Sequence, residues 1–259
     1  MADVIREFKV DTLRVCVYET RSAMGTAAYE LYKQKVQQMM SCEKENIRAI
    51  YAAAPSQKDF FDALNKDECI DFSRIDAFHM DEYMGLGSDA PQNFGNFLKN
   101  IIFSKKNFNK INYINPGAKN VIEECLRYEK LLRESPLDIV SLGIGENGHI
   151  AFNDPHEARF DDPQWVRETT LDTISRQQQV NDGEFSHIGE VPEVAVTLTI
   201  PALMSCKTVI GVVPGKRKAQ AVHNSLYGQI SEACPASILR THKDATLFID
   251  KDAAGLLQI

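Results

Sequence analysis

The sequence predicts an α/β protein: a mostly parallel, twisted sheet with helices on both faces, a Rossmann-like three-layer arrangement in a single domain over residues 1–259. Three observations lead there. Short apolar runs of strand length alternate with longer segments of helical period along most of the chain. Runs such as residues 137–142 are continuously apolar enough to be strands buried on both faces. No linker, low-complexity tract or internal repeat breaks the pattern, and 259 residues suffice for one large core.

Taken in order, residues 13–18 form the first expected strand, and a helix starts at Ser22 or a neighbour and runs through Met40. Its apolar positions Met24, Ala27, Ala28, Leu31, Val36 and Met39 recur at roughly helical spacing. Residues 47–53 are apolar apart from Arg48 and make a second strand. Ser56 is placed to cap the helix marked by Phe60, Phe61 and Leu64. A third strand covers 75–79, a loop 81–87, and helices 93–103 and 121–133. The strand at 137–142 follows. From 160 to 193 the pattern is poor and polar, with a short helix expected at 175–180. Strands return at 194–198 and 207–213, then a helix to Leu226–Tyr227 closed by Gly228, and a last strand at 245–250.

The formal net charge of −7 argues against nucleic acid or an anionic membrane as the main partner. Six scattered cysteines, with no CxxC pair and no ligand-like spacing to histidine, read as buried or spectator thiols and suggest a reducing compartment. The first residues carry no apolar signal core and no run approaches membrane-spanning length, so a cytoplasmic protein is expected.

Ligands in such sheets sit beyond the carboxyl ends of the strands, which singles out four loops: 53–57, 79–87, 143–155 and 214–218. The third begins with Gly143, Gly145 and Gly148, and His149 follows directly, with Asn147, Asn153 and Asp154 around it. The spacing fits a dinucleotide fingerprint, but Pro155 arrives too soon for the long helix that holds a pyrophosphate. Asp161 and Asp162 also follow well inside the ~20-residue interval to a ribose-binding acid. A glycine loop serving chemistry fits better.

In the fourth loop, Lys216, Arg217 and Lys218 crowd a helix start, where cations oppose the macrodipole unless an anion sits between them. The alternative is a solvated basic helix start. In the second, Asp81 and Glu82 stand just beyond a strand. Successive extended side chains diverge, so at most one of them faces a ligand; the alternative is a loop acid capping a turn. His79 lies near Asp81 but no third ligand accompanies it, and no metal site is expected. His156, His187, His223 and His242 read as surface or supporting residues.

Residues 78–86 (FHMDEYMGL) and 142–155 (LGIGENGHIAFNDP) resemble the two signature motifs of the glucosamine-6-phosphate deaminase (isomerase) family, which also contains 6-phosphogluconolactonases. The similarity continues through 215–219, 235–239 and 247–250, in order and over nearly the whole chain. The run after His149 is deaminase-like rather than lactonase-like. The resemblance implies conversion of glucosamine 6-phosphate to fructose 6-phosphate and ammonia without a cofactor. It implies that His149 moves a proton at the ring oxygen and that Asp81 carries the C2 proton to C1. Asn147 and Asp154 would hold His149. Lys218 and Arg176 would bind the phosphate, with Ser56, and Glu82 and Gly148 complete the substrate-contacting set. Members of the family occur as monomers and as oligomers, so a homo-oligomer is possible.

Three departures bear on that expectation. Ala53, Ala54 and Pro55 replace a threonine/serine-Gly-Gly-Thr phosphate loop, weakening the backbone cradle, although Ser56 keeps one hydroxyl. Asn147 stands where many members carry aspartate and cannot stabilise an imidazolium by charge. Residues 159–167 (RFDDPQWVR) do not reproduce the basic, serine-containing allosteric site of some members. Galactosamine 6-phosphate as substrate, a lactonase, and a sugar-phosphate sensor without turnover are the alternatives.

Overall fold

Apolar side chains point alternately to two faces along the strands of this chain, and each face meets its own layer of helices. The computed structural model describes residues 4–42 and 45–258. The chain opens with β1 (Val4–Val10), β2 (Leu13–Tyr18), α1 (Arg21–Ser41), β3 (Ile47–Tyr51) and α2 (Lys58–Lys66). It continues with β4 (Ile75–His79), β5 (Asp81–Tyr83), α3 (Phe94–Leu98), β6 (Lys110–Asn112), α4 (Val121–Arg133) and β7 (Ile139–Leu142). Then come β8 (Val166–Thr170), α5 (Thr173–Asn181), β9 (Val194–Leu198), α6 (Ile200–Met204), β10 (Thr208–Val213), α7 (Ala219–Tyr227) and β11 (Ala245–Asp250).

Eight strands pair in the order β1-β2-β11-β10-β7-β3-β4-β6, and every pairing is parallel except β1 with β2. Val15, Val17, Ile50, Val140 and Leu142 face one side, against Tyr128 and Leu132 of α4 and Val222 and Leu226 of α7. Cys16, Ala49, Tyr51, Ile139 and Val212 face the other, against Tyr29 and Tyr32 of α1 and Phe60 and Phe61 of α2. Each large side chain buried this way contributes roughly 1.5–3 kcal/mol. Arg48, the one cation within β3, is buried because it donates to the carbonyls of Leu131, Leu132 and Ser135 that α4 leaves open at its end. Among the described residues no helix is long and apolar enough to cross a membrane.

A second sheet, β5-β9-β8, is antiparallel. It corrects two expectations. Part of the 81–87 loop is a strand, and the strand at 194–198 belongs to this sheet rather than the large one. β1, β6, β8 and α6 were not expected. The helix at 93–103 is α3 continued by a π turn, Lys99–Phe103. Ser56 caps nothing: a 3-10 turn, Pro55–Gln57, leads into α2, whose N-cap is Gln57 with no side-chain bond. Gly228 does end α7, but with extended backbone rather than a left-handed turn. A Cβ there would lie 2.5 Å from the Asn224 carbonyl oxygen.

Candidate active site

β7 lies in the middle of the large sheet, between β10 and β3, and the loops leaving the carboxyl ends of these strands and of β4 open onto one cleft. Its walls carry Ser56, Asp81, Gly145, His149, Lys218 and, from α5, Gln178, Gln179 and Asp182.

His149 is held by the glycine loop beneath it. Gly148 has φ +87°, which a side-chain-bearing residue rarely adopts, and a Cβ at that position would also meet Cys234 Sγ at 2.9 Å. Gly145 lies directly against the imidazole. The ring nitrogen Nδ1 is 2.7 Å from Asn147 Oδ1, 3.0 Å from Asp154 Oδ1 and 2.9 Å from Ser175 Oγ. Two of these oxygens can only accept, so the proton of the neutral ring belongs on Nδ1. Nε2, with no protein partner among the described residues, is the nitrogen available to the cleft.

The acids behind the ring form a chain. Asn147 donates through Nδ2 to Asp154 Oδ1 and Asp172 Oδ2, each at 2.9 Å, and its Oδ1 accepts from the backbone N–H of His149 at 3.1 Å. Ser175 donates to Asp154 Oδ1, and the backbone N–H of Asp172 reaches Asp154 Oδ2 at 3.1 Å. Burial alone would push the Asp154 carboxyl up, but His149, Ser175 and Asn147 together hold it well below the usual carboxylate range. The negative charge absent from position 147 therefore reaches Nδ1 from Asp154.

Asp81 sits on β5, paired with Thr197 of β9, so its backbone is fixed by a ladder and not by a loop. It is buried in the cleft wall, and among the described residues no donor bonds to its carboxylate. Burial first, and the neighbouring Glu82 second, push its carboxyl well above the usual range. Strand alternation turns Glu82 away. It accepts from the backbone N–H of Tyr83 (3.0 Å), Phe94 (2.9 Å) and Gly95 (2.8 Å), which caps the start of α3, and it does not line the cleft. Burial raises its carboxyl to about 7 despite those donors. His79 is fully buried and structural: Nδ1 faces the Asp81 carbonyl at 2.9 Å, and Nε2 accepts from the Ile114 N–H at 2.9 Å.

Of the three cations at the start of the helix after β10, Lys218 alone lines the cleft. Lys216 is exposed, and Arg217 bridges Asp182 at 2.5 Å and Glu146 at 3.5 Å. Lys218 has no ion-pair or hydrogen-bond partner among the described residues, and burial lowers its ammonium to about 8. Ser56 lines the cleft beside Gly143. Arg176 does not reach it. Its guanidinium donates to Glu193 (3.1 Å) and to the carbonyls of Ile188 (2.9 Å) and Val191 (3.0 Å), tying α5 to the segment before β9. Gly148 contributes backbone conformation rather than a cleft surface.

Ser175, Asp172, Gln178, Gln179 and Asp182 were not expected at the site. One signal for them existed. Residues 175, 178, 179 and 182 recur at helical spacing, so one polar face of α5 is turned inward; Ser175, Gln178 and Gln179 are all buried. Asp154, His156 and Asp172 lie close enough together to suggest a cation site, but Asp154 and Asp172 already accept from Asn147, Ser175 and backbone N–H groups.

A family model described as glucosamine-6-phosphate isomerases/6-phosphogluconolactonase matches residues 19–248. A glucosamine-6-phosphate deaminase of Lactobacillus helveticus (strain DPC 4571) is 33% identical over 245 residues, 93% of this chain and 96% of the relative. One from Bacillus cereus (strain B4264) is 33% identical over 244 residues, 94% of this chain and 89% of the relative. Among solved structures, a monomeric glucosamine-6-phosphate deaminase superposes with TM-score 0.85 at 31% identity, over 93% of this chain and 99% of its own. The 6-phosphogluconolactonase of Thermotoga maritima shares the fold with TM-score 0.74 at 20% identity, over 92% of this chain and 99% of its own.

Proposed function

The chain belongs to the glucosamine-6-phosphate isomerase/6-phosphogluconolactonase family, and we propose that it is an isomerising deaminase that converts glucosamine 6-phosphate and water to fructose 6-phosphate and ammonia. One observation carries this reading within the family: a buried carboxylate without donors, Asp81, lines the same cleft as His149. Opening a lactone needs no second group to carry a proton between two carbons. An aldose–ketose isomerisation does.

His149 acts first. Its unprotonated Nε2 accepts the proton of the anomeric hydroxyl; C1=O forms as the bond from C1 to the ring oxygen breaks, and the ring oxygen takes the proton back from Nε2. Asp154 and Asn147 keep Nδ1 protonated and stabilise the imidazolium between these steps. Asp81 then removes the C2 proton while a proton of the C2 ammonium passes to the C1 oxygen, giving a neutral enolamine. Returning that proton to C1 leaves an iminium at C2, to which water adds as ammonia departs. Burial makes the Asp81 carboxylate a stronger base, and the ammonium on C2 of the substrate supplies the charge that keeps it ionised. Lys218 and Ser56 hold the phosphate, and no cofactor enters any step.

The test is release of ammonia and ketose phosphate from a panel of 2-amino-sugar phosphates that includes the glucosamine and galactosamine compounds. Turnover of glucosamine 6-phosphate above the others supports the reading. No turnover of any of them by folded protein, or hydrolysis of a sugar-phosphate lactone in their place, overturns it.

A further inference from the structure

The cleft is sparing with positive charge. Among the described residues Lys218 is the one cation in its lining, Arg176 is committed to Glu193 and two carbonyls, and Arg217 to Asp182 and Glu146. A phosphate dianion bound there needs further donors, and Pro55 has no N–H to supply one.

Gln179 supplies what is missing. Its side chain is 8% exposed, lines the cleft, and has no hydrogen-bond partner among the described residues. With no protein partner, the carboxamide is open to a ligand in the cleft. The neighbouring Gln178 is not free in this way: its Oε1 accepts from the Glu146 N–H at 2.9 Å and its Nε2 reaches Asp182 Oδ2 at 3.4 Å. Gln179 and Asp182 share one face of α5, and Asp182 exerts the largest charge effect on Lys218. On the other side, Gln57 Nε2 donates to the Val212 carbonyl at 3.1 Å, which holds the turn carrying Ser56 beside the strand that leads to Lys218. Gln179, Ser56 and Lys218 all line this one cleft.

We propose that the Gln179 carboxamide binds the substrate's phosphoryl group, donating through Nε2 beside Lys218 and Ser56 in a site built from one cation and neutral donors. This rests on the sugar-phosphate reading above and deepens it. Arg176, expected from the sequence for this task, supports α5 instead.

Calorimetric binding of inorganic phosphate tests it without requiring turnover, since phosphate carries no sugar hydroxyls. Gln179→Ala should raise the phosphate Kd roughly tenfold, the loss of one hydrogen bond to a charged group. Gln179→Glu has the same size and sets a carboxylate against the anion, so it should abolish binding; Gln179→Arg should tighten it. Thermal melts establish that each variant is folded, and the Glu and Arg pair decides the matter if the Ala variant is not. Unchanged phosphate affinity in Gln179→Glu, with KM for the sugar phosphate altered or not, overturns the proposal. Failure of the unmodified protein to bind phosphate at all would instead overturn the sugar-phosphate reading itself.

Discussion

The imidazole of His149 packs so closely on Gly145 that a Cβ at position 145 would lie 2.2–2.4 Å from Cε1, Nδ1 and Nε2 of the ring. The glycine is there for space. An alanine cannot be accommodated unless the ring leaves its three partners on Asn147, Asp154 and Ser175. Gly145→Ala should therefore lower kcat by roughly 10²–10³, the range for losing a positioned proton carrier. The melting temperature should fall little, because the ring can swing into the cleft. Steady-state kinetics beside a thermal melt check this; an unchanged kcat would mean the ring position does not matter.

Asn147 is required by its neighbours rather than merely tolerated. Its Nδ2 donates to two carboxylates, on Asp154 and Asp172, each at 2.9 Å. In Asn147→Asp three carboxylates face one another with those donors gone, which raises the folded-state pKa of the new acid above its unfolded value. Stability is then retained below the unfolded pKa and lost as pH rises through the folded one. The variant should lie within about 1 kcal/mol of the parent at pH 4 and about 2–4 kcal/mol below it at pH 8. Asn147→Asp with Asp172→Asn restores one donor and should recover most of the loss. Denaturant melts at the two pH values measure it.

How far the sequence could be read follows from burial. The helix at 121–133 and the strands at 194–198 and 245–250 appear at the expected bounds, because strong periodicity or unbroken apolar residues mark them. β1 and β8 escaped notice because they are polar strands on the margins: most of Val4–Val10 is exposed, and Val166–Thr170 reads VRETT. β5 and β6 have three residues each, too few to show a period. At the site, Gly145, Gly148 and His149 were legible because close packing and positive φ demand glycine. Ser175 and Gln179 were not, because a polar helix face normally looks to solvent, and only the tertiary structure shows this one turned to a cleft. Arg176 is adjacent to Ser175 in sequence, but about 100° round the helix from it. That rotation separates a residue that bonds the back of the His149 ring from one that braces the next segment.

Asp81→Asn should separate stability from activity. The asparagine is nearly the same size and cannot take the C2 proton, so deamination should fall by at least ~10³. Burial and the adjacent Glu82 raise the folded-state pKa of Asp81, so charging it costs stability. That contribution is intact below the unfolded pKa and is lost as pH rises through the folded one. The variant should therefore be the more stable protein at pH 7–8, with the gap closing toward pH 4. Melting both proteins across that range gives the answer; a variant less stable at every pH would contradict a destabilised carboxylate.

Lys218 poses the same opposition with the charge reversed. Among the described residues its buried ammonium has no partner, and burial pushes it down from 10.5 to about 8. A depressed folded-state pKa for a base means the cost of burying its charge is fully present below pH 8 and fades as pH climbs toward 10.5. Removing the charge with Lys218→Met, which keeps the length of the stem, should raise stability at pH 7 by at most roughly 3 kcal/mol. The gain should vanish by about pH 11. Binding must run the other way. A phosphoryl group beside Lys218 supplies the missing counter-charge, so the variant should raise KM by about 10²-fold with kcat changed only a few-fold, since the phosphate is held alike in ground and transition states. In the unmodified protein, KM should climb above pH 8 as the free lysine loses its proton. A lysine whose replacement lowered kcat at constant KM would be acting on the reacting carbons, and the unpaired charge in the cleft would then need a different explanation.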